Sequence, residues 1–291
     1  MNINKFLAKP GKVNSLKKFS TNSTAGVSDK KEAEDWMKKY IKEMQELQDM
    51  LFADNTYSLL LIFQAMDAAG KDSTIKHVMS GINPQGCQVY SFKQPSVEEL
   101  NHDFLWRTTK CLPERGRIGI FNRSYYEEVL IVKVHPEIIL KQKLPGIDSL
   151  DKVNTEFWEN RYKSINDLEK HLVRNGTTVL KFFLHVSKEE QADRFLKRIN
   201  EPEKNWKFAF SDIEERTCWD DYQKAYENMI METSTSIAPW YIIPADKKWY
   251  MRLAVAEIIL QRLKDLGLKY PVLTDRQIAD LEKGKQNLLG K

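Results

Sequence analysis

Five short apolar runs, separated by longer segments with helical periodicity, constrain the fold of this 291-residue chain more than any other feature. The runs are hydrophobic without alternation, which is typical of strands buried on both faces of a sheet. Strands that alternate with helices form βαβ units around a parallel sheet. We therefore predict an α/β fold, a three-layer sandwich with a five-stranded parallel sheet. The predicted strands are Leu59 to Phe63, Gln88 to Phe92, Ile118 to Phe121, Thr178 to Val186, and Trp240 to Ile243.

The first apolar run is followed by a loop of small residues and then by an amphipathic segment. Small residues let consecutive backbone N–H groups turn toward phosphate oxygens, and the next helix directs its positive end at them. The order matches the phosphate-binding loop G-x-x-x-x-G-K-[ST] (Walker A) in part, because Ala65 replaces the first glycine and Asp72 the final Ser or Thr. Ser73 or Thr74 remains to supply the hydroxyl. The predicted loop contains Ala68, Ala69, Gly70, Lys71, Asp72, Ser73 and Thr74, with Lys71 neutralising the transferring phosphoryl group.

Two further positions predict a metal ion beside the loop. Asp67 lies inside it, where an acid is favourable only if a cation such as Mg²⁺ accompanies the phosphates. The third predicted strand ends at Asn122, where a Walker B strand carries a metal-binding acid, and Arg123 follows it. We predict that Asp67 and Asn122 hold the metal and that Arg123 braces a phosphate. Ser124 and Glu127 match a capping box, which leaves the neighbouring Glu128 as a candidate functional residue.

The segments outside the predicted core differ in composition. Residues 1–28 are rich in Lys, Ser, Asn and Thr and predict a flexible basic N-terminal arm. Residues 29–291 are predicted to form a single domain that begins with an amphipathic helix over 29–53. Within it, the segment from about 194 to 226 predicts a mobile helical lid that closes over phosphates. The basic lid candidates are Arg194, Arg198, Lys204 and Lys207, although a solvated helix face has the same pattern.

Charge and cysteine usage narrow the class of protein. The formal charge of +4, from 45 basic and 41 acidic residues, is too small to predict nucleic-acid binding. The three cysteines are widely spaced and contain no Cys-x-x-Cys pair, which fits a reducing compartment. No apolar stretch is long enough to cross a bilayer. We therefore expect a cytoplasmic protein that binds neither membrane nor nucleic acid.

Five segments together match one known family: Asp67 to Lys76, Ser91 to Pro95, His102 to Arg107, Phe121 to Glu127, and Ala238 to Asp246. With them the chain resembles the family-2 polyphosphate kinases, over about residues 30 to 270. The resemblance implies a P-loop kinase fold of the thymidylate-kinase type. It also implies reversible transfer between inorganic polyphosphate and nucleotides, with Mg²⁺ or Mn²⁺ as the metal. Ala65, Asn122 and the residues after Lys71 are most similar to the third class, which accepts both AMP and ADP and forms ADP and ATP.

The same resemblance implies roles for individual residues. The catalytic group corresponds to Asp67, Lys71, Asn122 and Arg123. Lys76 and the four basic lid candidates line the path of the polymer. The base and ribose are expected beneath the lid, near Lys93, Arg107, Glu128 and Glu137. The resemblance also implies a homo-oligomer, either a dimer or a tetramer.

Three other interpretations share some of these features. An ATP-dependent nucleoside monophosphate kinase has the same loop, lid and fold. A non-catalytic polyanion-binding protein uses the lysines of the arm and lid, although the chain has no RNA-binding signature or zinc-finger spacing to favour it. The loop taken alone also agrees with a small-residue turn that packs a helix against a sheet and leaves Lys71 solvated.

Overall fold

A six-stranded sheet forms the centre of the computed structural model, which describes residues 3–13 and 15–290. Five parallel strands follow the five predicted runs to within one residue at each end. Across the sheet they lie in the order Trp240–Pro244, Thr177–His185, Ser58–Gln64, Ile118–Asn122 and Cys87–Ser91. All seven residues of the strand before the loop are buried, as its uninterrupted apolar sequence predicts. The strands are β1 (Leu7–Ala8), β2 (Ser58–Gln64), β3 (Cys87–Ser91), β4 (Ile118–Asn122), β5 (Thr177–His185) and β6 (Trp240–Pro244).

The sixth strand corrects two predictions, the five-stranded sheet and the loosely ordered arm over residues 1–28. Leu7 and Ala8 form β1, which pairs antiparallel with Tyr241 and Trp240 of β6. Phe6, Ala8, Val13 and Leu16 are buried, whereas the lysines between them face solvent. A two-residue edge strand is too short to show a period-2 pattern, so the sequence resembled a solvated tail. Residues 1, 2 and 14 of the predicted arm and residue 291 of the predicted domain lie outside the described residues.

The helices begin and end at residues suited to those positions. Asp29 caps the first helix by accepting a hydrogen bond from the Glu32 amide, and Asn55 ends that helix in the left-handed conformation. Asn175 and Gly176 stop the sixth helix, as their sequence predicts. The helices are α1 (Lys30–Asp54), α2 (Lys71–Val78), α3 (Val97–Leu100), α4 (Trp106–Thr109), α5 (Ile131–Val134), α6 (Thr155–Arg174), α7 (Lys188–Asn200), α8 (Phe210–Glu215), α9 (Trp219–Thr233), α10 (Lys248–Asp265) and α11 (Asp275–Leu288).

Two groups of helices complete the predicted three-layer sandwich. Helix α10 packs against α1 and α2, and α9 packs against α5 and α6. Helix α10 is buried around most of its circumference, which explains its nearly continuous apolar sequence. Within the described part of the chain, the helices lack the combination of length and apolar character that crossing a bilayer requires.

The parallel strands all end at the same edge of the sheet, and this geometry positions the site. Strand β2 runs directly into the loop at Ala65, and β4 ends at Asn122 beside it. The backbone N–H of Arg123 donates to the carbonyl of Phe63 at 3.0 Å, so the turn after β4 is fixed against β2. The predicted phosphate loop and the predicted metal ligands therefore meet at the carboxyl edge, where open α/β sheets bind ligands.

Candidate active site

The loop from Ala65 to Gly70 has the backbone of an anion-binding nest. Ala68 has φ 58° and Gly70 has φ 107°, both in the left-handed region. Such a conformation is uncommon for alanine, and strained backbone of this kind clusters at functional sites. Helix α2 begins immediately afterwards at Lys71 and directs its positive end at the loop. The missing first glycine of the motif therefore does not prevent the nest.

The carbonyl groups of the loop are held by side chains that lie outside it. Lys71 Nζ donates to the carbonyl of Ala65 at 2.7 Å, and Gln191 Nε2 donates to that of Asp67 at 2.9 Å. Arg194 Nη1 donates to the carbonyls of Ala68 and Ala69 at 3.1 and 2.5 Å. The N–H groups of Ala68, Gly70 and Lys71, by contrast, donate to no described atom. The loop thus keeps its donors free for phosphate oxygens while its acceptors are occupied.

Lys71 is placed as the sequence predicts, at the junction of loop and helix. Burial, followed by the positive charge of Arg123, lowers the pKa of Lys71. Asp67, Glu127 and Asp72 act in the opposite direction. A lysine held between acids and a second cation in a half-buried site carries charge that a bound phosphate can neutralise. This environment disagrees with the alternative of a merely solvated lysine.

Arg123 and Asp67 form an ion pair across the carboxyl edge. Arg123 Nη2 donates to Asp67 Oδ1 at 2.9 Å. Arg123 also has a positive φ of 64°, a second strained residue at the site. Although burial opposes it, the negative charges of Glu127 and Asp67 raise the pKa of Arg123. The guanidinium therefore stays charged and lies within reach of the loop.

Asn122 pairs with Asp72, a contact that sequence reasoning missed. Asn122 Nδ2 donates to Asp72 Oδ1 at 2.5 Å. The two departures from the motifs complement each other, because Asp72 supplies a carboxylate next to the strand end where Asn122 lacks one. The sequence shows both departures. One adds an acid and the other removes one, and this exchange was the signal that could have linked the two positions. The negative charge of the site is thus shared between Asp67 and Asp72.

The two hydroxyl groups after Lys71 are already used within the helix. Ser73 Oγ and Thr74 Oγ1 donate to the carbonyl of Gly70 at 3.0 and 2.9 Å. Thr74 is fully buried, whereas Ser73 is half-buried. Of the two residues expected to supply the hydroxyl of the motif, only Ser73 faces a surface from which it can turn toward a ligand.

A buried network holds the two tyrosines that follow Arg123 and Ser124. Lys181 Nζ on β5 donates to Glu169, to the Tyr126 hydroxyl and to the Thr233 carbonyl, at 2.6 to 2.9 Å. The hydroxyls of Tyr125 and Tyr126 donate to the other oxygen of Glu169. A buried charge pair with its hydrogen bonds satisfied fixes one geometry. The turn that carries Arg123 is therefore anchored to the centre of the sheet.

A cleft on the β3 side of the loop contains two of the four residues predicted for the nucleotide. Glu128 is buried and accepts from Arg161 Nη1 at 2.6 Å and from Gln142 Nε2 at 2.7 Å. Arg107 Nη1 donates to the carbonyl of Lys93 at 2.7 Å. The Arg161 guanidinium also lies over the ring of Phe104, 4.7 Å from its centre. The lining residues are Pro95, Glu99, Leu100, His102, Asp103, Phe104, Arg107, Glu128, Gln142, Leu144 and Arg161.

The other two predicted nucleotide residues lie outside this cleft. The Lys93 side chain is exposed, and the backbone carbonyl of Lys93 accepts the hydrogen bond from Arg107. Glu137 is exposed and lies 3.7 Å from His135 Nδ1. Sequence reasoning missed Arg161 and Gln142. Arg161 falls among apolar residues of α6, and a charge on an apolar helix face was the signal available for it.

The segment predicted as the lid is mostly helical, but Arg194 is not part of its surface. Arg194 is 4% exposed on α7 and is held by loop carbonyls, by the carbonyls of Ala245 and Asp246, and by Glu190. Its donors are occupied, so it cannot line a path for a polymer as the sequence predicts. Its burial follows from the close packing of α7 on the loop. Arg194 instead positions the loop.

The remaining basic lid residues lie near the surface. Arg198 contacts Asp212 at 3.2 Å, Lys204 pairs with Glu201, and Lys207 lies over the ring of Trp206. Burial, and after it the negative charge of Asp67, raises the pKa of Asp212 in the first turn of α8. Lys76 is exposed on α2. Arg198 is partly exposed, and Lys204 and Lys207 are exposed like Lys76.

Comparisons with known proteins identify the family of this chain. The family model described as polyphosphate kinase 2 matches residues 27–270. A relative from Rhodopseudomonas palustris, named ADP-polyphosphate phosphotransferase, is 53% identical over 94% of each chain. Another from Meiothermus ruber, named AMP/ADP-polyphosphate phosphotransferase, is 41% identical over 92% of this chain and 96% of that one. The crystal structure of polyphosphate kinase 2 from Arthrobacter aurescens TC1 has a TM-score of 0.84 at 38% identity, covering 95% of this chain and 98% of that chain. The chain therefore belongs to the polyphosphate kinase 2 family.

Proposed function

We propose that this protein transfers phosphoryl groups from inorganic polyphosphate to AMP and ADP, and that the reaction is reversible. The observation that carries the proposal is the loop with free N–H donors between Lys71 and the Asp67–Arg123 pair, in a member of this family. Both substrates are polyanions, and the loop offers several donors and two cations within one small region. Relatives named for ADP and for AMP with ADP support both acceptors.

The arrangement serves phosphoryl transfer mainly through alignment and charge compensation. The acceptor phosphate oxygen is already ionised at neutral pH, so the site needs no general base. Free N–H groups of the loop hold the phosphate next to the transferring group, and Lys71 and Arg123 face the charge that spreads over its oxygens. The Asp67 carboxylate keeps Arg123 in place at 2.9 Å. In-line geometry then depends on where the two substrates approach the loop.

Oxygen ligands around the loop fit a magnesium ion. Asp67 has one carboxylate oxygen on Arg123, and no described group donates to the other. Asn122 uses its amide nitrogen on Asp72, which leaves its carbonyl oxygen available. No three His, Cys, Asp or Glu residues gather as a metal cage within residues 3–13 and 15–290, so water and substrate phosphates would complete the shell, as Mg²⁺ favours. When bound, the ion neutralises phosphate charge, and Mn²⁺ suits the same oxygen ligands.

The cleft beside β3 suits the nucleoside of the acceptor. Leu100, Phe104 and Leu144 supply apolar surface, and Glu128 and Gln142 supply polar groups with fixed positions. Ligand pockets combine apolar walls with a few placed polar groups in this way. Most of its lining residues belong to the segment 95–107 that follows β3, and in this proposal a nucleotide bound there extends its phosphates toward Lys71. Of the four residues predicted to bind the nucleotide, this proposal retains Arg107 and Glu128.

The proposal also includes the basic residues near the site, the location of the protein and its assembly. Arg198, Lys204, Lys207 and Lys76 form a charged rim that attracts polyanions, and their effect weakens as salt rises. Three free cysteines agree with a cytoplasmic location, where AMP and ADP are available. We further propose a homo-oligomer, without a nucleic-acid or membrane partner.

A donor and acceptor panel tests the proposed function. Purified protein with Mg²⁺ and long-chain polyphosphate is expected to convert AMP to ADP and ADP to ATP, measured by ion-exchange chromatography. Chelation with EDTA should stop both reactions, and added Mg²⁺ should restore them. Product that forms only from a nucleoside triphosphate donor would show an ATP-dependent kinase instead. Binding of polyphosphate without any product would show a non-catalytic polyanion-binding protein.

A further inference from the structure

Helix α11 is exposed along its whole length. Every described residue from 269 to 290 is exposed except Gly284, which is half-buried. The helix does not pack along any other described helix or strand. The family model ends at residue 270, so α11 also lies beyond the part of the chain that this model matches. The fold shared with the family therefore does not explain α11.

The sequence of α11 indicates a helix that is stabilised by packing on one face. Its start is well formed, because Thr274 and Gln277 complete a capping box. Its interior is weak, since Gly284 costs about 1 kcal/mol relative to alanine in a helix. The helix has 14 residues, and isolated helices of this length are marginal in water. A partner on one face would supply the missing stability.

An apolar stripe on α11 provides that face. Ile278, Leu281 and Leu288 are separated by three and seven residues, which is the spacing of the a and d positions of a coiled coil. The exposed fractions of Leu281 and Leu288 are 61% and 90%, so neither side chain is covered by the rest of the described chain. Leu289 widens the stripe at its end. A stripe of this spacing packs against another helix.

Gly284 leaves an open hole in the middle of the stripe. Leu281, Gly284, Lys285 and Leu288 occupy positions i, i+3, i+4 and i+7, which are the four corners of a hole that receives one side chain from a facing helix. The same four residues line a groove on α11. A Cβ atom added at Gly284 would meet no atom within 4 Å, so the hole is unfilled by the described chain. The residue that weakens the helix therefore makes room for a side chain of a partner.

The charges of α11 match a second α11 that runs antiparallel. Residues 275–282 contain three acids and one arginine, whereas residues 283–288 contain two lysines and no acid. An antiparallel neighbour places the acidic half of one helix beside the basic half of the other. The helix has no net charge, since its three acids balance its three bases. A helix that lies on a membrane surface instead has a polar face rich in Lys and Arg.

We propose that α11 pairs antiparallel with α11 of a second copy of this chain. The register that places Ile278 against Leu288 of the partner subunit inserts Leu281 of the partner subunit into the hole, and two-fold symmetry repeats each contact. Lys285, which interrupts the stripe, then lies beside Glu282 of the partner subunit. Two lysines and two glutamates thus meet near the two-fold axis. The pairing gives the homo-oligomer proposed above one interface, and it does not depend on which phosphoryl donor the enzyme uses.

Charge exchange at Glu282 and Lys285 tests the pairing. Glu282→Lys brings four lysines together at the axis and Lys285→Glu brings four acids together, so each change is expected to raise the Kd of the dimer roughly tenfold or more. The double variant Glu282→Lys/Lys285→Glu should return the Kd to within about threefold of wild type, because opposite charges meet again. Sedimentation equilibrium of the full-length protein over a concentration series measures the Kd, and loss of the pairing halves the mass.

Two further variants complete the test. Leu281→Asp places a charge in the hole and should raise the Kd roughly a hundredfold. Lys283→Glu is the matched control, because Lys283 lies two residues from Leu281 on the opposite face and should leave the Kd unchanged.

The outcomes separate this pairing from the proposed function. Wild-type protein that stays monomeric, single charge reversals that keep the wild-type mass, or a double variant that stays dissociated would overturn the pairing. Wild-type protein that pairs through α11 but makes no product from polyphosphate would support the pairing and overturn the proposed function.

Discussion

Replacement of Lys71 with methionine is expected to lower kcat/KM for nucleotide phosphorylation roughly a thousandfold, about 4 kcal/mol of transition-state stabilisation. Methionine keeps the length and packing of the side chain but removes the charge that faces the transferring group. The loop also loses the hydrogen bond to the carbonyl of Ala65, which the lysine makes at 2.7 Å. The measurement is the initial rate of ATP formation from ADP and polyphosphate.

The stability of the same variant separates catalysis from folding. Burial lowers the pKa of Lys71 in the folded protein, so the unfolded chain holds that proton more tightly. The charged lysine therefore costs folding free energy at every pH below its folded pKa, and neutral methionine removes that cost. The lost hydrogen bond to the buried carbonyl of Ala65 offsets part of this gain, so we expect a Tm close to that of wild type. Lys163→Met on α6 should leave both rate and Tm unchanged, and a Lys71→Met enzyme with near-normal rate would exclude Lys71 from the site.

Arg194→Met is expected to lower kcat roughly a hundredfold, because loss of a positioning group lets the reacting atoms shift by about 1 Å. The variant leaves the carbonyls of Ala68, Ala69, Ala245 and Asp246 without their donor. It also unpairs Glu190, so the free energy of unfolding should fall by about 2–3 kcal/mol. Urea denaturation and steady-state kinetics measure the two effects.

The division between kcat and KM decides what Arg194 does. A positioning residue changes kcat and stability together, whereas a residue that contacts the polymer raises KM for polyphosphate and leaves stability unchanged. Arg174→Met on α6 is the matched control, because Arg174 is exposed and distant in the chain from the loop. A higher KM for polyphosphate with normal kcat and normal stability would restore the role predicted from the sequence.

Features that depend on neighbouring residues in the chain were predictable. The parallel strands were found because burial on both faces requires uninterrupted apolar runs, as in Ser58–Gln64. The positions of Lys71, Asp67 and Arg123 at strand ends were predictable because loop and turn residues follow the strand directly in sequence. The bounds of the first helix, predicted over 29–53 and observed over Lys30–Asp54, were similarly local.

Features that depend on contacts between distant parts of the chain were not predictable from the sequence. Arg194 lies about 125 residues from the carbonyls that it holds, so its sequence showed only another basic residue in a basic segment. Arg161 contacts Glu128 from a helix 33 residues away. The pair of Asp72 and Asn122 joins positions 50 residues apart. Long charged side chains reach many environments, and their neighbours are set by packing rather than by local pattern.

The short edge strand β1 was also not predictable from the local sequence. Leu7–Ala8 forms only two residues of β1, and its apolar neighbours Phe6 and Leu16 are separated by lysines and polar residues. Hydrogen bonds to β6 and burial against the sheet decide its structure. Neither contribution has a local signature in a segment of this composition.

The central claim is that inorganic polyphosphate donates the phosphoryl group, and phosphorus NMR tests it most directly. Purified protein would be mixed with Mg²⁺, ADP and long-chain polyphosphate, and the spectrum followed with time. The account predicts that the signal of internal polyphosphate phosphates declines while the β-phosphate signal of ATP grows, and that Lys71→Met shows neither change. A polyphosphate signal that stays constant while wild-type protein remains folded and binds ADP would contradict it.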